Sequence, residues 1–107
     1  MTFAEFMEWV RANLKEENKI DNLGGRAQFY AEYELQSNSI KIRNSKGSIG
    51  RIDKNDLRRI FNRYVEAPQS MKHKAKYYNN PIWCETPNMI FAPYIPAIVR
   101  CCIEKNE

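Results

Sequence analysis

QFYAEYELQSNSIKIR, residues 28–43, alternates apolar and polar side chains on both sides of a short polar centre. Phe29, Ala31, Tyr33 and Leu35 interleave with Tyr30, Glu32, Glu34 and Gln36, the period of two that marks a half-buried strand. Ile40 and Ile42 alternate with Lys41 and Arg43 in the same way, and Ser37-Asn38 between the runs has turn chemistry. A turn centred there pairs Leu35 with Ile40 and Tyr33 with Ile42 on one face. On the other it pairs Glu34 with Lys41 and Glu32 with Arg43. Two faces that agree in this way predict a β-hairpin, and they give Lys41 and Arg43 carboxylate partners that remove them from any anion-binding surface.

Downstream of the hairpin, Asn44-Ser45-Lys46-Gly47 predicts a second turn, and Ser48 to Ile52 a third strand with a bulge at Gly50. Asp53 is placed to cap a helix, with Ile52 and Leu57 as a hydrophobic staple. Leu57, Ile60, Phe61 and Tyr64 carry that helix to about Glu66. Upstream, Phe3, Phe6, Met7, Val10 and Leu14 form one helical stripe. Thr2 and Glu5 make a capping box for it, the helix is expected to end near Glu16 to Asn18, and Gly24-Gly25 predicts a turn. Residues 67–87, with Pro68, Pro81 and Pro87, read as a long connection. Pro93 and Pro96 fit the first turn of a last helix, about Pro93 to Glu104, whose stripe is Ile95, Ile98, Val99 and Cys102. The expectation is one α+β domain over residues 1–107: a small three-stranded antiparallel sheet packed against helices, in the order α-β-β-β-α-loop-α.

A chain of 107 residues, 43% hydrophobic and 28% charged, is expected to form one core and to fold without a partner. No run approaches the ~18 apolar residues of a membrane span, and no signal-peptide pattern opens the chain. Cys84, Cys101 and Cys102 are odd in number, two of them adjacent, which fits a reducing compartment better than a disulfide framework. A cytoplasmic protein with no membrane association is therefore expected. The formal charge of +4 is unevenly spread. Residues 1–40 are acidic, whereas Lys41, Arg43, Lys46, Arg51, Lys54, Arg58, Arg59 and Arg63 are opposed in their stretch only by Asp53 and Asp56. Such a dipole steers anionic partners.

The leading functional expectation is a non-enzymatic domain that binds nucleic acid. Arg58, Arg59, Asn62 and Arg63 fall on the outer face of the second helix, with Lys46, Arg51 and Lys54 flanking it, and these are the donors used for phosphate contact and base-edge readout. Lys72, Lys74 and Lys76 lead into Tyr77, Tyr78 and Trp83, interleaving cations with rings on which unpaired bases stack. The competing explanation of both is ordinary: a solvated helix face, and aromatic side chains roofing a core. A second functional class is a protein-interaction module, homodimeric or binding another protein, through Tyr94, Ile98, Val99 and Cys102 of the thinly polar last helix and the Tyr/Pro/Trp segment before it. Catalysis is not expected. His73 is the one histidine, no CxxC or HxxxH spacing offers a metal site, Cys84 has no Gly-rich turn or oxyanion donors beside it, and no Gly-rich phosphate loop is present. No cofactor is expected.

Overall fold

The computed structural model describes residues 1–79 and 91–105. Helix α1 (Phe3–Asn13) is followed by strands β1 (Asn18–Asp21), β2 (Gln28–Glu34), β3 (Ser39–Arg43) and β4 (Ile49–Asp53). Then come α2 (Lys54–Glu66), the short α3 (Ala75–Tyr78) and α4 (Tyr94–Lys105). The class is α+β. The sheet has four strands rather than three, an antiparallel meander in the order β1-β2-β3-β4. The extra strand, Asn-Lys-Ile-Asp, has a single apolar residue, Ile20, and sits at the sheet edge, so no alternation announces it.

Helix α1 begins as its capping box predicts: Thr2 Oγ1 accepts from Glu5 N, and Glu5 Oε1 accepts from Thr2 N at 2.9 Å. It ends earlier than the polar run suggests. Leu14 leaves helical geometry and turns its side chain into the core, and Asn18 Nδ2 donates to the Asn13 and Glu16 carbonyls. The β1–β2 connection contains the expected glycine turn, with Gly25 at φ +71°.

Strands β2 and β3 form the predicted hairpin in a register displaced by two residues. Tyr33 pairs with Ile40, Ala31 with Ile42, Glu32 with Lys41 and Tyr30 with Arg43. Leu35 is therefore not Ile40's neighbour. It stands in the turn and is 79% exposed. Asn38 takes the left-handed conformation at φ 52°, which asparagine tolerates, and its side-chain oxygen accepts from the Tyr33 hydroxyl. A displacement of two keeps every side chain on its own face, so the hydrophobic pattern alone does not distinguish the two registers.

The inner face of the sheet carries Ile20, Phe29, Ala31, Tyr33, Ile40, Ile42 and Ile52, which join Phe6, Val10, Leu57, Ile60, Ile95 and Ile98 from the helices in one buried cluster. No bulge interrupts β4: Ile42 faces Gly50 and Arg43 faces Ile49 in continuous register. Gly50 has another role, because a Cβ there would overlap the ring of Phe91, which lies against its backbone. Asp53 caps α2 through its side chain, accepting from Asp56 N at 2.9 Å. The long connection after α2 contains α3, whose Tyr78 is fully buried and donates its hydroxyl to the Lys72 carbonyl at 2.7 Å. In α4, Ile98, Val99 and Cys102 are fully buried within the chain, in contact with the cluster above. Their burial corrects the expectation that they form an exposed interface. Tyr94 is also engaged, its ring 4.8 Å from that of Phe29. Among the described residues no helix is long and apolar enough to cross a membrane.

Candidate nucleic-acid interface

Helix α2 buries Leu57, Ile60, Phe61 and Tyr64, leaving its remaining side chains to spread around the rest of the cylinder. At ~100° per residue, Arg58 and Arg63 point ~140° apart, so the expected arginine face divides into two flanks. One flank turns toward α3 and is already occupied. Arg63 Nε donates to the Tyr77 carbonyl at 2.8 Å while its guanidinium covers the Tyr77 ring at 4.0 Å from the centroid. Arg59 reaches Asp56, itself buried, at 3.7 Å. These two guanidinium groups thus already have partners within the chain.

The other flank faces α1. Lys54, Arg58 and Asn62, at i, i+4 and i+8, run along α2 opposite Phe3, Ala4, Met7 and Arg11 of α1, and together they line a groove of about 400 Å³. Phe3, Ala4 and Met7 give it apolar lining and Arg11, Lys54 and Arg58 positive charge, with no carboxylate among the described lining residues. Among the described residues, no ion pair involves any of these cations. The Arg58 guanidinium lies over the Phe3 ring at 5.1 Å from its centroid, and the Phe3 ring is in turn braced edge-on against Phe61 at 5.6 Å. Concentrated positive charge beside a low-dielectric apolar lining focuses the local potential toward anions.

The other expected contacts are scattered. Arg51 lies on the outer face of the sheet with its Nε 2.6 Å from Glu34 Oε1, and this bond holds the Glu34 carboxyl below the usual range. Arg43 is similarly bound to Glu17 at 2.6 Å, and its guanidinium covers Tyr30. Glu17's carboxyl is lowered by that same hydrogen bond. The prediction that Arg43 is neutralised holds, although by a residue preceding β1 and not by Glu32. Lys46 sits in the β3–β4 turn, separated from Lys54 by the length of β4, roughly 17 Å for a five-residue strand. Lys72 lies over the Tyr64 ring at 5.0 Å, and Tyr64's hydroxyl is 3.2 Å from His73 Nε2. Lys74 and Lys76 are exposed around α3.

Among the described residues, Tyr77 and Tyr78 do not form an open stacking platform. Tyr78 is in the core, Tyr77 has one face under Arg63 and its ring against Tyr78, and Trp83 lies outside the described residues. Cys84 lies there too. Among the described residues, no three of His, Cys, Asp and Glu converge as a metal site.

Arg11, Phe3 and Met7 are the groove residues that sequence reasoning passed over. Arg11 belongs to an acidic segment and Met7 to the core stripe of α1. Only the pairing of α1 with α2 brings them beside Arg58, and no periodicity within one helix encodes its neighbour. Comparison with protein-family models, curated proteins and solved structures yields no match to this chain.

Proposed function

We propose that this chain is a nucleic-acid-binding domain, not an enzyme, and that its contact surface is the α1–α2 groove. The observation that carries the reading is the convergence of Arg11, Lys54 and Arg58 on one concavity whose described lining contains no acidic group. Phosphate neutralisation is the main sequence-independent source of nucleic-acid affinity, and it requires cations that are accessible and not already paired. Asn62 adds an amide able to donate and accept, and Phe3, Ala4 and Met7 add apolar contact area beside the cations. The arginine flank beside α3 contributes scaffold, not contact, because Arg63 holds Tyr77 in place.

The test is fluorescence anisotropy of labelled nucleic acid of mixed sequence at several salt concentrations. With three phosphates engaged, log K is expected to fall with log salt at a slope of about −2 to −3. Arg58→Glu combined with Lys54→Glu should abolish the binding. Lys46→Glu, combined with Lys19→Glu, makes the same change in net charge away from the groove and should leave most of it. Binding that is absent, insensitive to salt, or weakened equally by both pairs of substitutions would sink the reading.

A further inference from the structure

Resting on the reading above, the geometry points to unpaired nucleic acid as the form the groove takes: one base stacks on the outward face of the Arg58 guanidinium, and the flanking phosphates meet Arg11 and Lys54. The guanidinium is a plane with two faces. The guanidinium carbon lies over the Phe3 ring at 5.1 Å from its centroid, and Phe3 is itself held by Phe6 and Phe61 at 6.3 and 5.6 Å. Arg58 is exposed, so its side chain remains accessible to a ligand. A planar cation resting on a ring is a ready surface for a nucleobase, and bases accept arginine planes as stacking partners as they accept aromatic rings.

A base inside a duplex has neighbours on both faces and cannot use such a surface without being unstacked, whereas a base in a single strand can. The alternative, insertion of α2 into a duplex groove, requires a convex helix bearing free donors along its outer face. Here Arg59 and Arg63 are engaged by Asp56 and Tyr77, and the cations that remain line a recess between two helices. A recess of about 400 Å³ has room for a nucleotide or two of flexible strand.

The experiment compares a labelled single-stranded oligonucleotide with a duplex of the same length, for the unaltered chain, Arg58→Lys and Arg58→Glu. The single strand is expected to bind at least ~10-fold more tightly than the duplex. Arg58→Lys keeps the charge and removes the plane. It should weaken single-strand binding by ~5-fold or more, the low end of a lost stacking contact, with the salt slope unchanged and duplex binding unaffected. Duplex bound as tightly as single strand, or Arg58→Lys indistinguishable from the unaltered chain, overturns this inference while a loss in Arg58→Glu would keep the groove as the contact surface. No effect of Arg58→Glu on either form overturns both. Because Arg58 is exposed, neither substitution threatens the fold, and circular dichroism of each variant verifies that directly.

Discussion

Gly50 shows how much a missing side chain decides. Its backbone forms an uninterrupted rung with Ile42, and the ring of Phe91 occupies the volume a Cβ would need. Gly50→Ala is expected to destabilise the domain by about 2 kcal/mol, because a buried ring must move to admit one methyl group. Pairing it with Phe91→Leu should recover part of that loss, since the ring atoms in conflict are removed. Urea unfolding of the two single variants and the double variant measures the coupling. Additive effects would show that Phe91 is not what Gly50 accommodates. The sequence marked this glycine as irregular from the parity of Ile49 and Ile52, but the close approach of a residue 41 positions later leaves no trace in a local pattern.

At the scale of elements, α2 was legible from its cap to its last turn: Asp53, the Leu57 to Tyr64 stripe and the end at Glu66 all stand as read. What could not be read was which flank of α2 meets which neighbour. The division of Arg58 from Arg63 depends on α1 lying to one side and α3 to the other, and α3 itself, four residues long, carries too little sequence for a periodic signal. The same holds for β1. The hairpin faces were legible but its register was not, because a slip of two residues costs the hydrophobic pattern nothing. Arg63 allows a direct test of the scaffold role given to its flank. Arg63→Ala removes a charged hydrogen bond to the Tyr77 carbonyl and a cation–π contact, together worth about 2 kcal/mol locally. Amide exchange in residues 75–79 is expected to accelerate in this variant while exchange in β2 and β3 stays slow, and Arg63→Lys should restore only part of the protection. Uniform acceleration throughout the chain, or none, would contradict a local role.

At the scale of the whole molecule, burial couples two tyrosines to global stability. Desolvation raises the hydroxyl of Tyr78, and to a smaller extent that of Tyr64, above the ordinary value of 10.0. The folded state keeps both protonated where the unfolded chain would ionise them. The stability this represents is complete below pH of about 10 and is lost as pH rises toward the folded-state values. In an alkaline titration, the tyrosinate absorbance of these two should therefore appear together with loss of circular dichroism. Reversible ionisation of every tyrosine in a chain that remains folded would show that the pair is not sealed. The whole-molecule charge dipole was visible in the sequence, yet the division of its cations between internal partners and the groove was not. Arg43, Arg51, Arg59 and Arg63, half the cations of the basic stretch, are engaged by Glu17, Glu34, Asp56 and the Tyr77 carbonyl, and the groove takes one of its cations from the acidic N-terminal segment.

One long-range clasp bears on how the molecule is made. Arg100 of α4 donates to the Asn22 and Leu23 carbonyls, at 3.0 and 3.3 Å, and so fastens the β1–β2 turn from 78 and 77 residues away. Ile95, Ile98, Val99 and Cys102 of the same helix complete the core. During synthesis the helices and strands up to Glu66 emerge before α4, and the β1–β2 turn lacks its Arg100 clasp until α4 arrives. The nascent chain is thus obliged to wait, and a ribosome stalled before α4 would hold a fragment in which Phe29 lacks the ring of Tyr94, a natural substrate for a chaperone.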